Sequence, residues 1–234
     1  MAELLYEGKA KQVYKTEKED EYLIHYKDDA TAGNGVKHDK FEGKGVLNNT
    51  ISCIIFDMLG EAGIKTHMIK KLNERDILVK KVDIFPLEVI IRNITTGSFC
   101  KRLGAPEGVV LDEPIFEMSY KNDEYGDPLI NDDHAVALKL ATREELAYIK
   151  ETTLKINELL KEFFLSMNLK LVDFKIEFGK TADGTILLAD EISPDSCRLW
   201  DVDTNQKYDK DVFRQDIGDL IETYKAVLAR MQNK

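Results

Sequence analysis

Apolar and polar residues alternate along 171–179, LVDFKIEFG, so that Val172, Phe174, Ile176 and Phe178 fall on one face of a strand. Asp173, Lys175 and Glu177 fall on the other. Asp183-Gly184 follows, a favoured pair for a two-residue hairpin turn, and 186–192 reads as the returning strand. With that turn Glu177 faces Asp190, whereas a three-residue loop would place Ala189 opposite Glu177. Opposed like charges destabilise a strand pair. A hard divalent cation held between the two carboxylates would remove that cost, so a metal site at Glu177 and Asp190 is the expectation. A solvated outer face is the simpler alternative.

The same two periods organise the rest of the chain. AKQVYKT and EYLIHYKD predict a hairpin joined by the polar stretch 17–21. Val46, Leu47, Ile51, Ile54, Ile55, Met58 and Leu59 recur at helical spacing, with Gly60 or Gly63 available to end the helix. RDILVKKVDIFPLEVIIRN predicts two strands divided at Phe85-Pro86, and 104–131 reads as loop-rich. A long helix follows, opened by the capping-box pair Thr142 and Glu145, with Leu146, Ile149, Ile156, Leu159, Phe163 and Met167 as its buried stripe. A last amphipathic helix is expected over about 209–231. Strands and helices in this order predict an α+β fold with antiparallel sheets and flanking helices. The expected division is a β-rich N-terminal domain, 1–82, and a larger α+β domain, 83–234.

Composition narrows the class. The formal net charge of -10 argues against non-specific attraction to nucleic acid or to an anionic membrane. The first residues are charged and lack an apolar signal core, and no apolar run reaches the length of a membrane span. Cys53, Cys100 and Cys197 are widely spaced and outside any metal-ligand motif, so reduced thiols and a cytoplasmic protein are expected. His25, His38, His67 and His134 are scattered and suggest no catalytic cluster.

Three further stretches carry candidate chemistry. In YEGKAKQVY, Gly8 allows close backbone approach to phosphate, and Lys9 and Lys11 supply counter-charge; a plain surface turn would look similar. No Walker A loop is present, because Phe174 occupies the first glycine position before Gly179-Lys180-Thr181. In FPLEVIIRNITTGSFCKR, Arg92 projects from a mostly apolar strand just before Thr95, Thr96, Gly97 and Ser98. That combination suits a phosphate or carboxylate pocket, or else an internal ion pair such as Arg92–Glu88. In DEISPDSCRLWD, Asp190, Glu191, Asp195 and Arg198 surround a strand-breaking proline.

FPLEVIIRNITTGS and LVDFKIEFG closely resemble the two signature stretches of the SAICAR synthetase (phosphoribosylaminoimidazole-succinocarboxamide synthase) family of purine biosynthesis. YEGKAKQVY, VKKVDIFP and DEISPDSCRLWD are similar to it in the expected order, over nearly the whole chain. Asn34 departs from the Asp that some members carry. The resemblance implies a fold related to the ATP-grasp enzymes, and ATP and Mg²⁺ as nucleotide and metal. It also implies an amide ligation of L-aspartate to carboxyaminoimidazole ribonucleotide (CAIR) through an acyl phosphate. It assigns Lys9, Ala10, Lys11 and Lys121 to the nucleotide phosphates, the segment Val79, Lys80, Lys81 and Val82 to the adenine, and Glu177 and Asp190 to the metal–nucleotide site. Arg92, Ser98 and Arg198 fall to the ribonucleotide. Lys175 would neutralise the reacting carboxylate, and Asp195 would orient substrate or metal-bound water. A homodimer is implied by the resemblance alone.

Overall fold

The computed structural model describes residues 3–32 and 37–233; Asn34 lies outside them. A first antiparallel sheet has the order β1-β2-β3-β7-β6, with β1 Leu4–Glu7, β2 Lys11–Lys15, β3 Glu21–Tyr26, β6 Met68–Lys71 and β7 Asp76–Lys80. Between its halves lie a ribbon of β4 (Asp29–Ala32) and β5 (Lys37–Lys40), then helix α1, Lys44–Glu61. The second sheet follows the path β11-β10-β9-β12-β13. Here β9 is Leu87–Ile94, β10 Val110–Tyr120, β11 Leu129–Ile130, β12 Leu169–Lys180 and β13 Ile186–Ala189. Strands β8 (Asp83–Ile84) and β14 (Cys197–Asp201) also pair with β12. The first sheet ends at Lys80, and Asp83–Ile84 already belongs to the second.

Helix α2 is Gly97–Leu103, α3 Asp132–Ala137 and α4 Arg143–Leu165. The capping box forms as expected at α4: Thr142 accepts from the Glu145 backbone N–H, and Glu145 accepts from that of Thr142. Its inner stripe includes Leu160, while Leu159 packs only at the margin of the core. The largest core joins this stripe to Val89 and Ile91 of β9 and to Leu171, Phe174, Ile176 and Phe178 of β12. Ile51, Ile55, Phe56 and Leu59 of α1 belong to the same core, so the helix that follows the first five strands is buried against the second sheet.

Four elements differ from the sequence expectation. The stretch read as loop contains the eleven residues of β10; Pro114 lies where its pairing to β9 shifts register, and Asp112-Glu113 beside it disguise the strand. The last helix is two, α5 (Asp211–Arg214) and α6 (Leu220–Gln232), separated by left-handed Asp216 and by Gly218, with Asp219 capping α6. The returning strand stops at Ala189 rather than at 192. Finally, the β12–β13 hairpin has the three-residue loop: Glu177 pairs with Ala189, and Thr181 N–H donates to Thr185 C=O at 3.0 Å. A two-residue turn of type I′ needs φ > 0 at both positions and one of type II′ needs it at the first. Only Gly184 of this pair adopts it, at φ 86°.

Phe174 is fully buried at the centre of this core. Phe174→Ala is expected to cost about 3–5 kcal/mol of stability, read as a lower urea midpoint with an unchanged denaturant slope.

Candidate active site

A cavity of about 1000 Å³ lies between the two sheets. The first sheet and its leading turn contribute Gly8, Lys9, Ala10, Lys11, Val13, Ile24 and Val79, and the second contributes Glu88, Arg92, Lys175 and Glu177. Strand β12 positions Asp173, Lys175 and Glu177 on the cavity side because Phe174, Ile176 and Phe178, on its other face, are locked in the core.

At one end the two expected carboxylates line the cavity, although they are not cross-strand partners. Asp190 lies one residue past β13 with φ 62°, and this left-handed turn, unusual for a non-glycine, carries its carboxylate to the cavity. Lys11 ion-pairs with Asp190 and lies 3.9 Å from Glu191, while Lys121 Nζ is 2.5 Å from Glu177 Oε1. Burial and the neighbouring Asp190 push Glu177 up to about 7. Burial also opposes ionisation of Asp190, but the Lys11 ammonium outweighs it and holds Asp190 below the usual carboxylate range. Glu191 is raised by burial, and its enclosed Oε2 makes no hydrogen bond among the described residues. No group of three or more His, Cys, Asp or Glu side chains forms a ready metal cage among the described residues. The donor set nonetheless fits a hard divalent cation: two oxygen ligands under mutual repulsion, with a third carboxylate buried beside them.

His67 braces this end. Its backbone N–H donates to Leu188 C=O at 2.8 Å and its C=O accepts from Lys80 N–H at 2.7 Å, tying the two sheets together. The ring packs edge-on to Phe56, hydrogen-bonds the backbone of Asp190, and is pushed down to about 4 by burial and by Lys11. It is therefore a neutral structural imidazole at neutral pH.

At the other end Asp173 is the organising residue. Its Oδ2 accepts from Arg92 Nη1 at 3.1 Å and from Arg198 Nη1 at 2.7 Å. Arg92 further donates to Glu117 at 2.6 Å and to the Ser98 hydroxyl at 3.2 Å, so the internal ion pair offered as the alternative does form, with Glu117 and Asp173 as partners in place of Glu88. Glu88 instead holds Lys175 at 2.6 Å. Arg198 also donates to Asp211 at 3.0 Å. Gly97, at φ 58°, packs under this guanidinium: a Cβ there would lie 2.7 Å from Arg198 Nη2. Only glycine satisfies both conditions.

The structure brings most of the expected site residues to one cavity. Lys9, Ala10, Lys11, Lys121, Val79, Lys80, Val82, Arg92, Ser98, Lys175, Glu177, Asp190, Asp195 and Arg198 all line it. Lys81 does not; its ammonium lies over the Tyr22 ring at 5.7 Å. Asp195 is buried and already paired, accepting from Lys44 Nζ at 2.6 Å and from the Tyr224 hydroxyl at 2.5 Å. Burial would raise Asp195, but Lys44 and Lys210 hold it far below the usual range, so it anchors charge and cannot act as a base near neutrality. Sequence reasoning singled out the segment that holds Glu191 without giving that residue a role, and missed Glu88, Lys44, Lys210 and Tyr224 as parts of the site or its support. Asp173 was signalled by its place beside Lys175 and Glu177; Lys44 and Tyr224, on distant helices, had no local signal.

Asp209 is buried behind Arg198 and pushed up to about 7 by burial and by Asp211. A carboxyl raised on folding stabilises fully below its unfolded pKa, and that contribution is lost as pH rises through the folded value. The melting temperature of the ligand-free wild type is expected to carry a downward component between about pH 4 and 7 that Asp209→Asn removes; parallel wild-type and variant pH profiles would refute it.

The comparisons with known proteins agree on one family. The sequence model of the SAICAR synthetase family matches residues 4–231. The phosphoribosylaminoimidazole-succinocarboxamide synthase of Finegoldia magna is 67% identical over 230 residues, 98% of this chain and 99% of its own. That of Caldanaerobacter subterraneus subsp. tengcongensis is 60% identical, covering 98% and 97%. Among solved structures, the enzyme from Ehrlichia chaffeensis superposes with a TM-score of 0.96 at 45% identity, covering 98% of both chains. A SAICAR synthetase in complex with ADP gives a TM-score of 0.95 at 50% identity, covering 98% and 97%. The chain belongs to the SAICAR synthetase family.

Proposed function

We propose that this protein is the ATP-dependent ligase that joins L-aspartate to CAIR, giving SAICAR, ADP and phosphate. The observation that carries the reading is the meeting, in one cavity, of a carboxylate–lysine end built from Glu177, Asp190, Lys11 and Lys121 with a guanidinium end built from Arg92, Ser98 and Arg198. The first suits a nucleotide triphosphate and the second a phosphorylated ribonucleotide.

In this reading Val79 and Val82 border the adenine, with the backbone of Lys80 and Lys81 at its edge, and Lys9, Ala10 and Lys11 cover the phosphates. Lys121 and Lys11 are held beside the carboxylates and are free to turn toward phosphate oxygens once those carboxylates gain another partner. Glu177 and Asp190 would hold Mg²⁺, which would supply charge neutralisation to the phosphates. A CAIR carboxylate oxygen attacks the γ-phosphorus and ADP leaves, so a poor electrophile becomes an acyl phosphate. The L-aspartate amine then attacks the acyl carbon, phosphate departs and the amine loses its proton. Lys175 is half exposed and, among the described residues, held only by Glu88, so its ammonium can reach the reacting carboxylate. Arg92, Ser98 and Arg198 hold the ribonucleotide in register, and Asp195 fixes the loop that leads into β14 and Arg198. No step needs a protein nucleophile; positioning and electrostatics suffice.

Three free cysteines and the absence, among the described residues, of a helix long and apolar enough to cross a membrane support a small-molecule enzyme of the cytoplasm. The implied homodimer is read by light scattering.

The decisive assay supplies ATP, Mg²⁺, CAIR and L-aspartate. ADP release is expected only with both acceptors present, and the product mass should equal CAIR plus L-aspartate minus water. Nucleotide binding without turnover would defeat the reading. Glu177→Gln is expected to lower kcat at least 100-fold at saturating Mg²⁺ with the fold retained, and near-normal turnover would remove Glu177 from the metal site. Arg198→Ala should raise KM for CAIR about 10- to 100-fold, as expected for a charged hydrogen bond worth about 1.5–3 kcal/mol, with a smaller change for ATP. Equal changes for both substrates would count against its assignment.

A further inference from the structure

The inward side of α1 changes character along its length. Its second half is apolar and enters the main core through Ile55, Phe56 and Leu59. Its first half presents Lys44, Asn48 and Ser52, which recur every four residues on one side of the helix and are 0%, 1% and 0% exposed. A stripe of this kind is costly to enclose. A lysine must be paired to be buried at all, and in the first turn of a helix it also opposes the macrodipole. An apolar residue of similar volume at position 44 would avoid both costs and often serves stability as well as a buried ion pair does.

The stripe holds the segment 190–196, which connects β13 to β14. Lys44 Nζ donates to Asp195 Oδ2 at 2.6 Å, and Ser52 Oγ donates to Ile192 C=O at 3.0 Å. Asn48 lies between them on the helix, and its Oδ1 makes no hydrogen bond among the described residues. Residues 190–196 belong to no strand, so no sheet ladder sets their course. Side chains from a packed helix do so instead.

This segment touches the reacting groups at both of its ends. At one end Asp190 stands in its left-handed turn and pairs with Lys11. At the other, Ser196 C=O accepts from the Lys175 main-chain N–H at 2.9 Å, and Asp195 N–H donates to Ser193 Oγ at 3.1 Å. Ser52 therefore acts on the Asp190 side and Lys44 on the Lys175 side. Neither of the two lines the cavity.

We propose that Lys44 and Ser52 are positioning residues: α1 holds 190–196 so that Asp190 and Lys175 keep their working separation, and its buried polar stripe serves turnover rather than stability. The proposal rests on the functional reading above and adds to it two residues that touch neither substrate nor nucleotide. One rigid helix thereby sets the distance between the carboxylates of the nucleotide end and the ammonium at the reacting carboxylate.

The test compares Lys44→Met and Ser52→Ala with the wild type. Folded enzyme is counted by its stoichiometry of ADP binding, and steady-state kinetics are then measured with ATP, Mg²⁺, CAIR and L-aspartate. In each variant kcat per ADP-binding site is expected to fall about fivefold or more, with KM for ATP and for CAIR within about threefold of wild type. A residue that served only the fold would lower the melting temperature and the number of ADP-binding sites while leaving kcat per site intact. A smaller fall in kcat per site, or a loss confined to KM, would overturn the proposal. Should Lys44→Met fail to fold, Ser52→Ala decides by the same thresholds. A wild type that binds ADP without turnover would defeat the functional reading and the positioning role with it, whereas wild-type turnover with kcat per site retained in the variants defeats the positioning role alone.

Discussion

The burial of one face of β12 is the constraint on which the site depends. Phe174, Ile176 and Phe178 are almost wholly removed from water, so the strand can neither rotate nor slip by one residue without exposing them. Their immobility holds Asp173, Lys175 and Glu177 on the opposite face, in the order in which the cavity uses them. Asp173 gathers two guanidinium groups, Lys175 stands at the middle, and Glu177 meets the lysines of the nucleotide end. A single hydrophobic commitment therefore sets the spacing between the two ends of a cavity of about 1000 Å³.

Charge is the second organising principle. The cavity concentrates acids and bases that would each be costly to bury alone, and pairing makes them tolerable. Glu177, pushed up to about 7, and Glu191, one oxygen of which makes no hydrogen bond among the described residues, show where pairing is incomplete on the acidic side. Lys210 shows the same on the basic side. Incomplete pairing of both signs in one cavity is what a site for a cation and several anions requires. Asp195, by contrast, is fully satisfied, and serves as a fixed charge that anchors α1, α6 and the loop before β14 at one point.

Adjacent sequence stretches carried much of this. The alternation of 173–178, the capping box at Thr142 and Glu145 and the apolar spacing of α1 each specify an element through near neighbours, and each formed as expected. Val172, expected beside Phe174, lies instead in a separate buried cluster with Ile94 and Trp200, where the pairing to β14 shifts register. The position of Glu177 on the cavity side followed from the period of two alone. The lost strand at β10 and the broken last helix failed for local reasons as well: Pro114 and the acids beside it outweighed a strand pattern, and a helical period continued on paper across left-handed Asp216.

By itself, then, the chain determined its fold class, its family and the faces of its main elements, because those depend on periodicity and on long contiguous stretches. Tertiary structure decided the partners. The hairpin register turned on the φ of one residue, and Asp190 reached the cavity through a left-handed turn rather than through cross-strand pairing. Lys44 finding Asp195, Arg198 finding Asp173 and Asp211, and Lys210 finding almost nothing are long-range outcomes of packing. Side-chain pairing across a fold depends on distances in space that no local pattern encodes.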